Sequence, residues 1–193
     1  MWCLGTWCIA YAYAAVRYVA FGPVPADQLG FFVLNKSIGW TALVLFSAAL
    51  GLVRSRHRRL ARMFGVVGAW LVALHVLMAL VLVATREFVW LSVAPDRLRV
   101  RGQLALLAGI VAACALAFQQ RSTDHRLASG ARFVVVATGS LHVAAIGLPG
   151  WFRPELWHGG LPPITLLSAL CGAFGMVLSL IRRRPREAPR AER

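Results

Sequence analysis

Residues 63–85 read MFGVVGAWLVALHVLMALVLVAT. As an α-helix this stretch is about 35 Å long at about 1.5 Å per residue, enough to cross the roughly 30 Å of hydrocarbon in a bilayer. It carries one ionisable side chain, His75. An ionisable group at that depth costs a few kcal/mol on insertion scales, which makes it a functional position by default. Residues 131–149 repeat the pattern, with His142 inside a second apolar run. Imidazole is a common ligand for metals and for haem iron.

Working outward, the remaining sequence has the same character. Hydrophobic residues make up 59% of the 193, and apolar runs near twenty residues recur along the chain. The expected fold class is all-α: a six-helix transmembrane bundle over residues 1–181, with spans at about 2–21, 36–53, 63–85, 102–119, 131–149 and 161–181. Residues 182–193, with Pro185 and Pro189 among six arginines, are expected to form a basic disordered tail facing lipid. The first run reads as a retained helix rather than a signal peptide, because no basic segment precedes it and Arg17 interrupts it. No room remains for a soluble nucleotide or flavin module.

The net charge of +14 does not point to nucleic acid, because the arginines lie between and after the apolar runs. Fourteen fall on one face: Arg54, Arg56, Arg58, Arg59 and Arg62; Arg121, Arg126 and Arg132; and six in the tail. The other face has Lys36, Arg86, Arg97, Arg99, Arg101 and Arg153. The positive-inside rule places both termini in the cytoplasm. Trp90 and Leu91 put the third loop along the outer interface, and Trp151 and Trp157 read as interfacial anchors. The four cysteines show no CxxC pair and read as small buried hydrophobes rather than redox groups.

Spans three and five run in the same direction, so the two histidines can be compared for depth. Counted from Arg62 and Arg132 they lie about 20 Å and about 15 Å in, near the membrane centre, a mismatch within the reach of helix tilt. Gly68, Leu71, Val72, Met78 and Ala79 on span three, with Thr138, Gly139, Ala145 and Ile146 on span five, offer a low-bulk slot for a porphyrin. Two axial imidazoles without a CxxCH attachment motif would give a b-type haem. The competing reading is that each histidine hydrogen-bonds a carbonyl or hydroxyl of a neighbouring helix, with Ser140 and Thr138 close by. A proton relay is disfavoured because the spans lack Asp and Glu.

Four segments carry a resemblance: Asn35-Lys36-Ser37-Ile38-Gly39-Trp40, Arg58-Arg59-Leu60 leading into Leu74-His75, Gly102-Gln103-Leu104-Ala105-Leu106, and Leu141-His142. In this order they resemble the ferric-reductase-like transmembrane superfamily, which includes the haem subunit of bacterial methionine-sulfoxide reductase systems. The resemblance covers roughly residues 10–180. It implies a b-type cytochrome of the bacterial cytoplasmic membrane, with His75 and His142 as axial ligands of haem b and a separate redox partner protein. Members with two haems have a second histidine thirteen or fourteen residues after the first. Here those positions hold Phe88 and Val89, and Glu155 and Leu156. One haem is therefore expected, in the place of the family's cytoplasmic-side haem. A quinone is a candidate electron donor or bridge. The alternatives are a haem-free membrane scaffold or assembly subunit and, further off, a transporter, for which no inverted repeats or paired broken spans speak. His158 reads as an exposed interfacial histidine, His57 and His125 as solvated. Arg17 is expected to snorkel to the interface, with pairing to a haem propionate as the alternative.

Overall fold

The computed structural model describes residues 1–52, 57–84, 92–94 and 97–181. Six long helices dominate it: α1 (Trp2–Ala15), α2 (Phe32–Leu52), α3 (Arg58–Ala84), α4 (Val100–Arg121), α5 (His125–Trp151) and α6 (Ile164–Ile181). Among the described residues, five helical segments are long and apolar enough to cross a membrane: Phe32–Leu52, Arg58–Val83, Val100–Arg121, Leu127–Trp151 and His158–Ile181. The first, α1, has 14 residues and runs on without a break into a π-helical turn, Val16–Ala20. This is a multi-pass membrane protein built as an α-helical bundle. The expected basic tail, Trp90 and Leu91 lie outside the described residues.

Helices α2 to α5 begin earlier than hydropathy alone suggests. Apolar composition marks the hydrocarbon slab, whereas a helix keeps its hydrogen bonds through polar turns at the interface. Thus α3 starts at Arg58 and α5 at His125, with Asp124 Oδ1 accepting the Leu127 N–H at 3.4 Å. Between α3 and α4, β1 (Ser92–Ala94) and β2 (Arg97–Leu98) form a short antiparallel pair.

The axis of the bundle is α2. In its most apolar window 67% of residues are buried, against 11–22% in the other four spanning segments, so α2 alone is surrounded by protein. It packs on α1, α3, α5 and α6, while α4 packs on α5. The outer faces carry Leu74, Leu77, Leu80, Leu107, Ile110 and Phe174, all exposed. An apolar surface of that kind is stable only against lipid. Small residues set the closest approaches. A Cβ at Gly175 of α6 would lie 2.8 Å from Ser47 Cα of α2, so glycine there is what lets the two backbones meet. The buried hydroxyls of Ser37, Thr41 and Ser47 each donate to a carbonyl of their own helix, at 2.7 to 2.8 Å, so none of the three is left unpaired.

The loop before α6 closes one end. Tyr13 donates its hydroxyl to Pro162 O at 2.7 Å. Trp151 donates to Thr165 Oγ1 at 2.9 Å and Trp157 to Gly150 O at 3.0 Å. The two tryptophans, expected as interfacial anchors, therefore also pin the α5–α6 connection.

Candidate functional site

His75 and His142 meet. Their ring centroids are 6.4 Å apart and their planes cross at 89°. His75 lies seventeen residues after the start of α3 and nine before its end; His142 lies seventeen after the start of α5 and nine before its end. The 5 Å mismatch expected from Arg62 and Arg132 disappears, because those arginines lie inside the helices rather than at their starts. Along the helices the pair lies about 25 Å from the starts of α3 and α5, at the basic end of the bundle, and about 13 Å from their other ends.

Each imidazole is held by a neighbouring helix. His75 Nδ1 lies 3.1 Å from Asn35 O in the first turn of α2. His142 Nδ1 lies 2.8 Å from Ala105 O near the start of α4. A carbonyl can only accept, so Nδ1 is the protonated nitrogen of each ring and Nε2 keeps its lone pair. Ser140 and Thr138 are not the partners, since they donate to Val136 O and Val134 O of their own helix at 2.8 and 2.7 Å. Two glycines make room. A Cβ on Gly39 would lie 2.9 Å from His75 Cε1 and 3.0 Å from its Nδ1, whereas one on Gly109 would lie 3.4 Å from His142 Nδ1.

The low-bulk slot expected from Gly68 and Gly139 is filled. A Cβ at Gly68 would meet the Phe46 ring at 3.2 Å, and one at Gly139 would meet Leu43 Cδ1 at 3.3 Å. Both fillers come from α2, whose central position a single helix's periodicity does not reveal. Open space lies elsewhere. Close packing of α3 is with α2, and a cleft of about 600 Å³ separates α3 from α4. Val66, Ala69, Val72 and Val76 line it on one side, Ala113 and Ala117 on the other. Val72 and Val76 flank His75 in sequence. Neither His75 nor His142 lines it.

Among the described residues no three His, Cys, Asp or Glu side chains converge on a point where a metal ion would sit. Two imidazoles alone suit a metal that brings its own equatorial ligands, which is what a porphyrin does. The spacing can be tested on chemistry. With a metal–imidazole bond of about 2 Å and about 1.1 Å from ring nitrogen to centroid, two trans imidazoles have centroids about 6.2 Å apart. The observed centroid separation of 6.4 Å is of this size. The protonation pattern also fits, since metal-ligating histidines donate their other N–H to a carbonyl or carboxylate.

The remaining candidates are separate from this pair or outside it. Arg17 is 4% exposed rather than snorkelling; the π-helical turn directs it inward. His158 is half-buried in a 3₁₀ turn that touches the π-helical turn, not an exposed group. His57 is exposed, and the side chain of His125 is outside the described set. Asn35, Lys36, Gly39, Ala105 and Gly109 were not singled out as functional by sequence, although four of them sit in or beside the segments that carry the resemblance. No protein-family model matches this chain, and no curated protein matches it.

Proposed function

We propose that the chain is a membrane-embedded b-type cytochrome that binds one haem b between His75 and His142 and relays electrons to a partner redox protein. The observation carrying this reading is the crossed imidazole pair at 6.4 Å, with each Nδ1 tied to a backbone carbonyl. The haem, when bound, supplies a one-electron Fe(III)/Fe(II) couple. The protein's contribution is to hold, insulate and tune it. His75 and His142 would hold it. The carbonyls of Asn35 and Ala105 fix the tautomer of each ring and raise its basicity, an effect that favours the ferric state.

The site's position bears on the relay. Lying nearer the end opposite the basic loops, one centre leaves the basic half of the membrane without a carrier. A quinol in the bilayer, or a cytoplasmic reductase acting through it, is the donor consistent with that gap, and the acceptor sits at the near face. On the positive-inside rule that near face is the outer face of a bacterial cytoplasmic membrane, opposite to the cytoplasmic-side place that the resemblance implies.

A haem-free scaffold is the second reading, favoured by the same Nδ1 bonds, because they satisfy half of each imidazole within the bundle. Titration of the haem-free, detergent-purified chain with haemin separates the two. The cytochrome reading predicts an end point at one haemin per chain. An end point of two, or no saturable binding, contradicts it.

A further inference from the structure

At the end of the bundle nearer the histidine pair, two cations converge on one ring. Arg17 Cζ lies 5.5 Å from the Tyr18 ring centroid, and Lys36 Nζ lies 5.4 Å from the same centroid and 4.6 Å from that of Phe32. The two charges are therefore no more than about 11 Å apart. Arg17 is 4% exposed, and its Nε and Nη1 are buried without a hydrogen-bond partner. Among the described residues no ion pair to either cation is found. An unpaired buried guanidinium costs several kcal/mol, and a second cation beside it raises that cost.

The fold nevertheless commits Arg17 to this place. The Phe21 N–H closes a π-type turn on Val16 O at 3.0 Å, and Val24 N–H returns to Tyr18 O at 3.0 Å. A Cβ on Gly22 would lie 2.5 Å from Tyr18 O, so the turn tolerates glycine alone. Single π turns of this kind recur at functional sites. Lys36 follows Asn35, whose carbonyl holds His75.

We propose that Arg17 and Lys36 form an oxyanion site above the histidine pair, taking a carboxylate or phosphate group. Two sources supply that chemistry. One is a propionate of the macrocycle held by His75 and His142, and this arm rests on the cytochrome reading. The other is the headgroup phosphate of a phospholipid, which does not. Charge-assisted hydrogen bonds of the guanidinium and ammonium to the oxyanion then offset the cost of burying Arg17.

The test uses the full chain in detergent, comparing wild type with Arg17→Gln, Lys36→Gln and the charge-keeping Lys36→Arg. One probe pair is haemin against haemin dimethyl ester, whose carboxylates are blocked. The other is dihexanoyl phosphatidic acid against dihexanoylglycerol, read by thermal stabilisation. Wild type should prefer the anionic member of at least one pair by about tenfold or more in affinity. That preference should collapse toward one in both glutamine variants and survive in Lys36→Arg. A preference confined to haemin identifies the propionate, and one confined to phosphatidic acid identifies the lipid. If Arg17→Gln does not fold, Lys36→Gln, half-buried and off the π turn, gives the answer. Equal binding of both members of both pairs by wild type overturns the proposal, as does an undiminished preference in Lys36→Gln. Failure of wild type to bind either porphyrin counts against the cytochrome reading and leaves the phosphatidic-acid arm to decide the oxyanion site.

Discussion

Gly39→Ala is the sharpest perturbation the site allows without touching a histidine. The new Cβ would stand 2.9 Å from His75 Cε1 and 3.0 Å from Nδ1, well inside van der Waals contact, so the ring must move. Moving it lengthens the 3.1 Å bond to Asn35 O. Overpacking of this kind costs about 1–3 kcal/mol, while replacing glycine by alanine inside a helix returns about 1 kcal/mol. The net change in fold stability is therefore about 0–2 kcal/mol, too small to identify the site by melting. Ligand affinity is the better readout. Loss of a partner that orients a metal-ligating histidine weakens binding about 10–100-fold. Haemin titration of the purified chain should show that loss for Gly39→Ala. Gly109→Ala is the matched control, because its Cβ would meet His142 Nδ1 at 3.4 Å, the edge of ordinary contact. It should change affinity by no more than about threefold, less than 1 kcal/mol. Wild-type affinity in Gly39→Ala, or an equal loss in both variants, would refute the argument that α2 positions His75.

Other consequences follow from the same geometry. The 89° crossing of the imidazole planes predicts a strongly anisotropic low-spin EPR signal from the ferric protein; the rhombic signal of parallel planes would contradict it. Gly175→Val inserts a side chain between α6 and the Ser47 backbone and should lower stability by about 3 kcal/mol or more, read by thermal unfolding in detergent. Tyr13→Phe removes the hydrogen bond to Pro162 O and should cost about 1 kcal/mol in the same assay, while leaving haemin affinity unchanged.

Much of this architecture is legible in the amino-acid order, because length and apolarity fix a membrane helix almost by themselves. What sequence places poorly is the end of each helix and the rotation about its axis. Arg62 and Arg132 look like boundaries, yet each lies within a helix that starts at Arg58 or His125. Counting from the true starts puts both histidines at the same level, seventeen residues into each helix. Rotation matters more for the slot. Gly68 and Gly139 look like space for a flat ring, but α2 sits in the middle and fills them with Phe46 and Leu43. The glycines that do face imidazoles, Gly39 and Gly109, lie on helices without a histidine. Arg17 near a helix end reads as a snorkelling residue, and only the π turn, which has no sequence signature here, shows that it points inward.

The central claim is that His75 and His142 share one haem iron. A dithionite-minus-air difference spectrum of the purified protein, with His75→Ala and His142→Ala alongside, tests it most directly. The account predicts sharp reduced α and Soret bands in the wild type, and loss of the bis-imidazole spectrum in each single variant. A wild type that stays colourless after haem supplementation, or a variant that keeps the wild-type spectrum, would contradict it.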